Sequence, residues 1–115
     1  MADDTIDVST FRSLQDAAGA AFVADLVKTF FEEAPRMLDT LRDALRAGDR
    51  DEFRRAAHSL KSNGQTFGAA PLAAMARTLE QDAGVIVARG DAGPLDAVAA
   101  EYRRVASTLA RLIDA

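Results

Sequence analysis

Apolar residues recur every three or four positions along almost the whole chain, the spacing of one face of a helix. From Ala20 to Ala47 one row reads Phe22, Leu26, Phe30, Met37, Leu41 and Leu45. A neighbouring row of Val23, Val27, Phe31, Ala34 and Leu38 widens the stripe. This predicts one long helix, with Pro35 inside it. A proline there removes a backbone hydrogen bond, so a bend near Phe31, or two helices meeting there, is expected. Before it, Ser9 is the expected N-cap of a short first helix that carries Phe11 and Leu14 and ends around Gly19. Gly48 stops the long helix and Asp49 caps a third, over roughly Arg50 to Phe67, with Gly68 as its stop. Pro71 suits the first turn of a fourth, which carries Leu72, Met75, Ala76, Leu79 and Ile86 and runs to near Gly90. Gly93 and Pro94 open a fifth, with Leu95, Val98, Tyr102, Val105, Leu109 and Leu112 on one face.

No stretch alternates in the manner of a strand. The expected fold is therefore all-α. Four substantial amphipathic helices with short connections pack most naturally as an antiparallel four-helix bundle, capped by the short first helix. The expected layout is a flexible N-terminus over 1–8 and one domain over 9–115. At 115 residues, 49% of them apolar, the chain is long enough to bury a core without staples. It has no cysteine, hence no disulfide framework and no thiolate chemistry, which fits a reducing compartment. The opening MADDTIDVST is acidic, unlike a signal peptide, and the apolar runs are too short to span a bilayer. The expectation is a soluble, cytoplasmic protein, with no membrane association. A net charge of −4 and a pI near 4.9 argue against nucleic acid as a partner. Heavy use of Arg and Ala suggests a GC-rich bacterial genome.

The stretch RRAAHSLKSNGQTFGA holds the only histidine, His58, and one of two lysines, Lys61. On a helix advancing 100° per residue, Phe53, Ala56, Leu60 and Phe67 fall opposite His58, while Ala57 and Gly64 lie on its flank. Asp51, Arg54, Arg55, Lys61, Ser62 and Gln65 share its side. The imidazole is thus central on a polar face. That disfavours a satisfied core histidine and leaves a bystander on the surface or a residue that does chemistry. Arg54, Arg55 and Lys61 all lie one turn away. Three cations disfavour a protonated ring, so a neutral, nucleophilic imidazole is expected at pH 7. The same cations suit an anion arriving on a ring nitrogen, and lysine is a compact point charge able to follow a phosphoryl group. Gly64 costs about 1 kcal/mol relative to alanine inside a helix, for which close approach of another protein or plain interhelical packing is the reason.

No phosphate-binding loop or dinucleotide fingerprint is present. There is no second histidine and no cysteine for a zinc site. The acid pairs Asp39 and Asp43, and Glu32 and Glu33, read as solvated faces and not as a metal site. A lone nucleophile without a donor site suits a carrier, which accepts a group from one protein and hands it to another.

The segment AHSLKSNGQTFGA resembles the signature of histidine phosphotransfer (HPt) domains: His58, an aliphatic Leu60 two on, Lys61 three on, a small Ser62 where glycine is common, then Phe67 and Gly68. The resemblance continues through FFEEAPRMLDTLRDALRAGDRDEFRRAAHSLKS and PLAAMARTLE, and covers roughly Ser9 to Ala115. It implies that His58 accepts a phosphoryl group on Nε2 from an aspartyl phosphate of a response-regulator receiver domain and passes it to another, with Lys61 holding the group and Gln65 supporting it. Ser62, Gly64, Arg54 and Arg55 are supporting candidates. Any Mg²⁺ belongs to the receiver, and the chain itself needs no cofactor. The implied partners are receivers of response regulators and of a hybrid histidine kinase, met by a monomer. A module that only docks, with the histidine unused, is the alternative. A kinase fragment is disfavoured, since no ATP-binding domain is present.

Overall fold

A computed structural model describes residues 5–114. Among them are six helices and no strand: α1 (Val8–Ala18), α2 (Ala20–Ala47), α3 (Arg50–Thr66), α4 (Ala70–Gln81), α5 (Ala83–Arg89) and α6 (Gly93–Asp114). The all-helical expectation holds. Helix α3 packs between α2 and α4, and α6 packs against the same two. The core runs through all of them, with Val27, Leu41, Phe53, Leu60, Leu72, Leu95 and Leu109 wholly enclosed. Each such side chain contributes roughly 1.5–3 kcal/mol relative to exposure. Phe30 stacks at a tilt on Phe67, 5.3 Å between centroids, and meets Tyr102 edge-on, joining α2, the end of α3 and α6.

The long helix expected over Ala20 to Ala47 is there as one uninterrupted element through Pro35, which excludes two helices meeting at that point. The proline lies on an exposed face, where water can satisfy the Phe31 carbonyl that lost its partner, so two separate helices are not needed. Two expectations are corrected. The fourth predicted helix is two: Asp82 ends α4, its N–H bonding to Thr78 O, and α5 starts at Ala83. The apolar spacing Leu79, Ala83, Ile86 continues across that break and conceals it. Lastly, α1 is capped by Asp7 and not by Ser9: the Asp7 carboxylate accepts from Thr10 N–H.

Of the stretch 1–8 expected to be flexible, residues 1–4 lie outside the described residues. Thr5 and Ile6 are buried, and the Asp7 N–H donates to Gly68 O at 2.8 Å. The entry to α1 is thus tied to the exit of α3. Gly68 makes this possible. Its φ is +76°, and a Cβ there would stand 2.9 Å from Asp7 O and 3.0 Å from Thr10 Cβ. The left-handed conformation alone costs an L-residue about 1–2 kcal/mol, and the clash adds to it. Gly68→Ala is expected to lower the stability of the domain by roughly 2 kcal/mol or more. Urea unfolding should show this as a lower midpoint at unchanged slope.

Candidate functional site

Helix α3 begins with Asp49, whose carboxylate accepts from Glu52 N–H. Asp51 and Glu52 then complement the positive end of the helix. Phe53, Ala56, Ala57 and Leu60 bury one side, which turns His58 outward, its side chain 58% exposed. The sequence placed the histidine on this polar face, and the structure agrees.

What the sequence reading missed is Glu80, on α4, 22 residues after the histidine. One carboxylate oxygen, Oε2, lies 2.7 Å from His58 Nδ1, and the other, Oε1, accepts from Lys61 Nζ at 2.7 Å. Glu80 and Lys61 are mostly covered, with side chains 21% and 19% exposed. The hydrogen bond from Lys61 holds the Glu80 carboxyl below its ordinary value; partial burial opposes this, and the bond from His58 adds to it. An ionised carboxylate only accepts hydrogen bonds. His58 Nδ1 must therefore carry the hydrogen, and in the neutral ring Nε2 holds the lone pair and points away from Glu80. Fixing the tautomer through the other ring nitrogen is the usual way an imidazole is prepared for work.

The three cations that flank His58 on α3 do not stand alone. Arg55 is 2.6 Å from Glu52 and Arg54 is 3.9 Å from Asp51. Lys61 is bound to Glu80, which itself touches the ring. Each cation read from the sequence has an acid beside it.

The other candidates separate into groups. Arg54, Lys61 and Gln65 line one pocket of about 520 Å³ between α3 and α4, together with Arg77, Glu80 and Gln81. Arg55 turns to the other side of α3, into a groove shared with Glu33, Arg36, Met37, Thr40, Ala56 and Ser59. Ser62 stays exposed, and its backbone carbonyl accepts from Thr66 Oγ1. Gly64 is buried, and a Cβ on it would stand 3.3 Å from Ala73 N and 3.4 Å from Ala73 Cα. Of the two reasons for a glycine there, interhelical packing is the one realised. It brings α4 near enough for Glu80 to reach α3. Among the described residues no group of three or more His, Asp or Glu side chains is placed to hold a metal ion.

The Lys61–Glu80 pair also sets a pH dependence. A carboxylate whose pKa is lower folded than unfolded adds stability that is present above its unfolded pKa and lost as pH falls through the folded one. Glu80 starts from an ordinary value of 4.5, so the loss begins below that. The wild type should lose more stability between pH 6 and pH 3 than Glu80→Gln does, as thermal melts at the two pH values would show. Equal losses would mean the pair adds nothing.

The family model described as Hpt domain matches residues 25–115. A solved structure, the crystal structure of histidine-containing phosphotransfer protein B (HptB) from Pseudomonas aeruginosa PAO1, superposes with a TM-score of 0.74. It is 27% identical, over 98% of this chain and 94% of that one. No curated protein matches the sequence significantly.

Proposed function

Because the chain belongs to the Hpt domain family, whose role is histidine phosphotransfer in phosphorelays, we propose that His58 is its phosphoacceptor. The observation that carries this assignment is the Glu80 contact: it leaves Nε2 of an exposed imidazole as the free lone pair. In the transfer, that lone pair attacks the phosphorus of an aspartyl phosphate on a receiver domain. The N–P bond forms as the P–O bond breaks, and the receiver regains its carboxylate. The ring is left with Nδ1–H and a positive charge, which Glu80 meets directly. The reverse transfer, to the same receiver or a second one, retraces these steps. Little covalent work falls to the protein, so alignment and charge dominate.

Lys61 fits this reading as the residue that holds Glu80 ionised and in place. Its ammonium is engaged with Glu80 and mostly covered, so it positions the ring through that carboxylate and helps to hold the phosphoryl group. Gln65, on the wall of the α3–α4 pocket, is placed to assist. Receivers of response regulators and of a hybrid kinase are the proposed partners. The α2–α3 groove, with Met37 and Ala56 at its base and Glu33, Arg36, Glu52 and Arg55 around it, supports a docking face of apolar centre and charged rim. Magnesium for the reaction belongs to the receiver, and the protein works as a carrier without a kinase activity of its own. Ring-wise packing of α2, α3, α4 and α6, with short turns from α2 to α3 and α3 to α4 and with α5 leading from α4 to α6, supports the antiparallel four-helix arrangement. No helix among the described residues is long and apolar enough to cross a membrane. We place the protein in the cytoplasm, as a monomer.

The test is direct. A receiver charged with labelled phosphate is mixed with the protein, and label on the smaller band is followed. Acid-labile, base-stable label is the expected result. Absence of label with receivers that bind in a titration would favour a module that only docks.

A further inference from the structure

A phosphoryl group on His58 brings a charge of about −1.5 to −2 at pH 7. Glu80 is met by the positive ring at Nδ1, while the group itself sits on Nε2 at the other side of the ring. Its own negative charge still calls for a cation. Lys61 is shared with Glu80 at 2.7 Å and is mostly covered. Arg54 has Asp51 at 3.9 Å, and Arg55 faces the opposite groove with Glu52. Arg77 is different. It stands on α4, one turn before Glu80, exposed, on the wall of the pocket that also takes in Arg54, Lys61, Gln65 and Glu80. Among the described residues it has no ion-pair partner. The pocket walls thus carry three cations against one carboxylate, and the uncommitted cation is Arg77. A guanidinium offers a planar fork of donors matched to phosphate oxygens, which an ammonium does not.

We propose that Arg77 is a phosphoryl-binding residue: once the group is on His58, Arg77 engages it across the α3–α4 pocket and biases the transfer equilibrium toward the phosphohistidine. This rests on His58 being the acceptor. Arg77 makes no contact with the ring in the unphosphorylated protein, so its contribution appears only after transfer. An interaction present only in the phosphorylated state shifts the equilibrium by its full strength.

The experiment uses the full chain as wild type, Arg77→Gln, Arg77→Lys and, as a control on another helix, Arg103→Gln. Each is equilibrated with one labelled receiver, and the phosphohistidine of each is titrated by ³¹P NMR. Arg77→Gln should shift the equilibrium toward the receiver about three- to tenfold. Its phosphoryl group should also lose the dianion at a higher pH than in wild type, because removal of an adjacent cation favours the more protonated form. Arg77→Lys should recover part of both effects, and Arg103→Gln should match wild type. An unchanged equilibrium in Arg77→Gln overturns the proposal. So does a shifted equilibrium with an unmoved phosphoryl titration, which would mark a structural effect only. Failure of the wild type itself to take label would overturn the parent assignment of His58, and this one with it.

Discussion

Replacing His58 by glutamine is expected to abolish phosphoryl acceptance completely while the domain stays folded. The side chain is 58% exposed and contributes nothing to the core. Among the described residues its side-chain hydrogen bond is to Glu80, and a glutamine amide can still donate to that carboxylate. Stability should therefore stay within roughly 0.5 kcal/mol of wild type, the range for surface changes outside special features. Label transfer and urea unfolding on the same preparation check both halves. Label persisting on His58→Gln would move the acceptor elsewhere. Lost label together with a collapsed midpoint would show that the histidine has a structural role that its exposure denies.

The second large effect is expected at Glu80. In Glu80→Ala nothing selects the Nδ1–H tautomer, nothing meets the positive ring after attack, and Lys61 stays mostly covered without its partner. Transfer should slow by roughly 10- to 100-fold, the range found when the carboxylate that orients a metal-bound imidazole is removed. Glu80→Gln separates the contributions. Its amide oxygen can accept from Nδ1, so orientation survives while the charge is lost, and its rate should fall between those of wild type and Glu80→Ala. Rapid-quench transfer from a labelled receiver gives the three rates, and ¹⁵N spectra of the ring report the tautomer. Equal rates for all three proteins would remove Glu80 from the mechanism. Equal loss in Gln and Ala would make charge, and not orientation, its contribution.

Why did His58 stand out in the sequence when Glu80 did not? The histidine sits on a helix whose own pattern states which side is buried: Phe53, Leu60 and Phe67 settle the face. Glu80 carries no such mark: it closes PLAAMARTLE beside the apolar stripe of the next helix, one acid among eighteen in the chain. Its pairing depends on the register of α4 against α3, which no periodicity within either helix sets. A usable signal was present at Gly64. If its missing side chain is where α4 comes closest, at Ala73, then six residues back along α3 and seven forward along α4 lead to His58 and Glu80. The α4–α5 break was hidden for a related reason, because its apolar spacing passes through Asp82 undisturbed. The packed Thr5 and Ile6 were illegible because their burial depends on Gly68, more than sixty residues away, accepting the backbone of Asp7. Charges were read too simply as well. Arg54 and Arg55 flank His58 in the helical pattern, but Asp51 and Glu52, one turn before them, draw them off.

The meeting of His58, Lys61 and Glu80 across a single turn between α3 and α4 bears on how the molecule assembles. All three residues lie within one local hairpin of helices, and contacts of short sequence separation carry little loop-closure entropy. The contacts among His58, Lys61 and Glu80 thus need no chain beyond α4, whereas the core they stand on is closed by the return of α6. During synthesis from the N-terminus, the segment that must be placed most accurately is complete while the last helix is still being made.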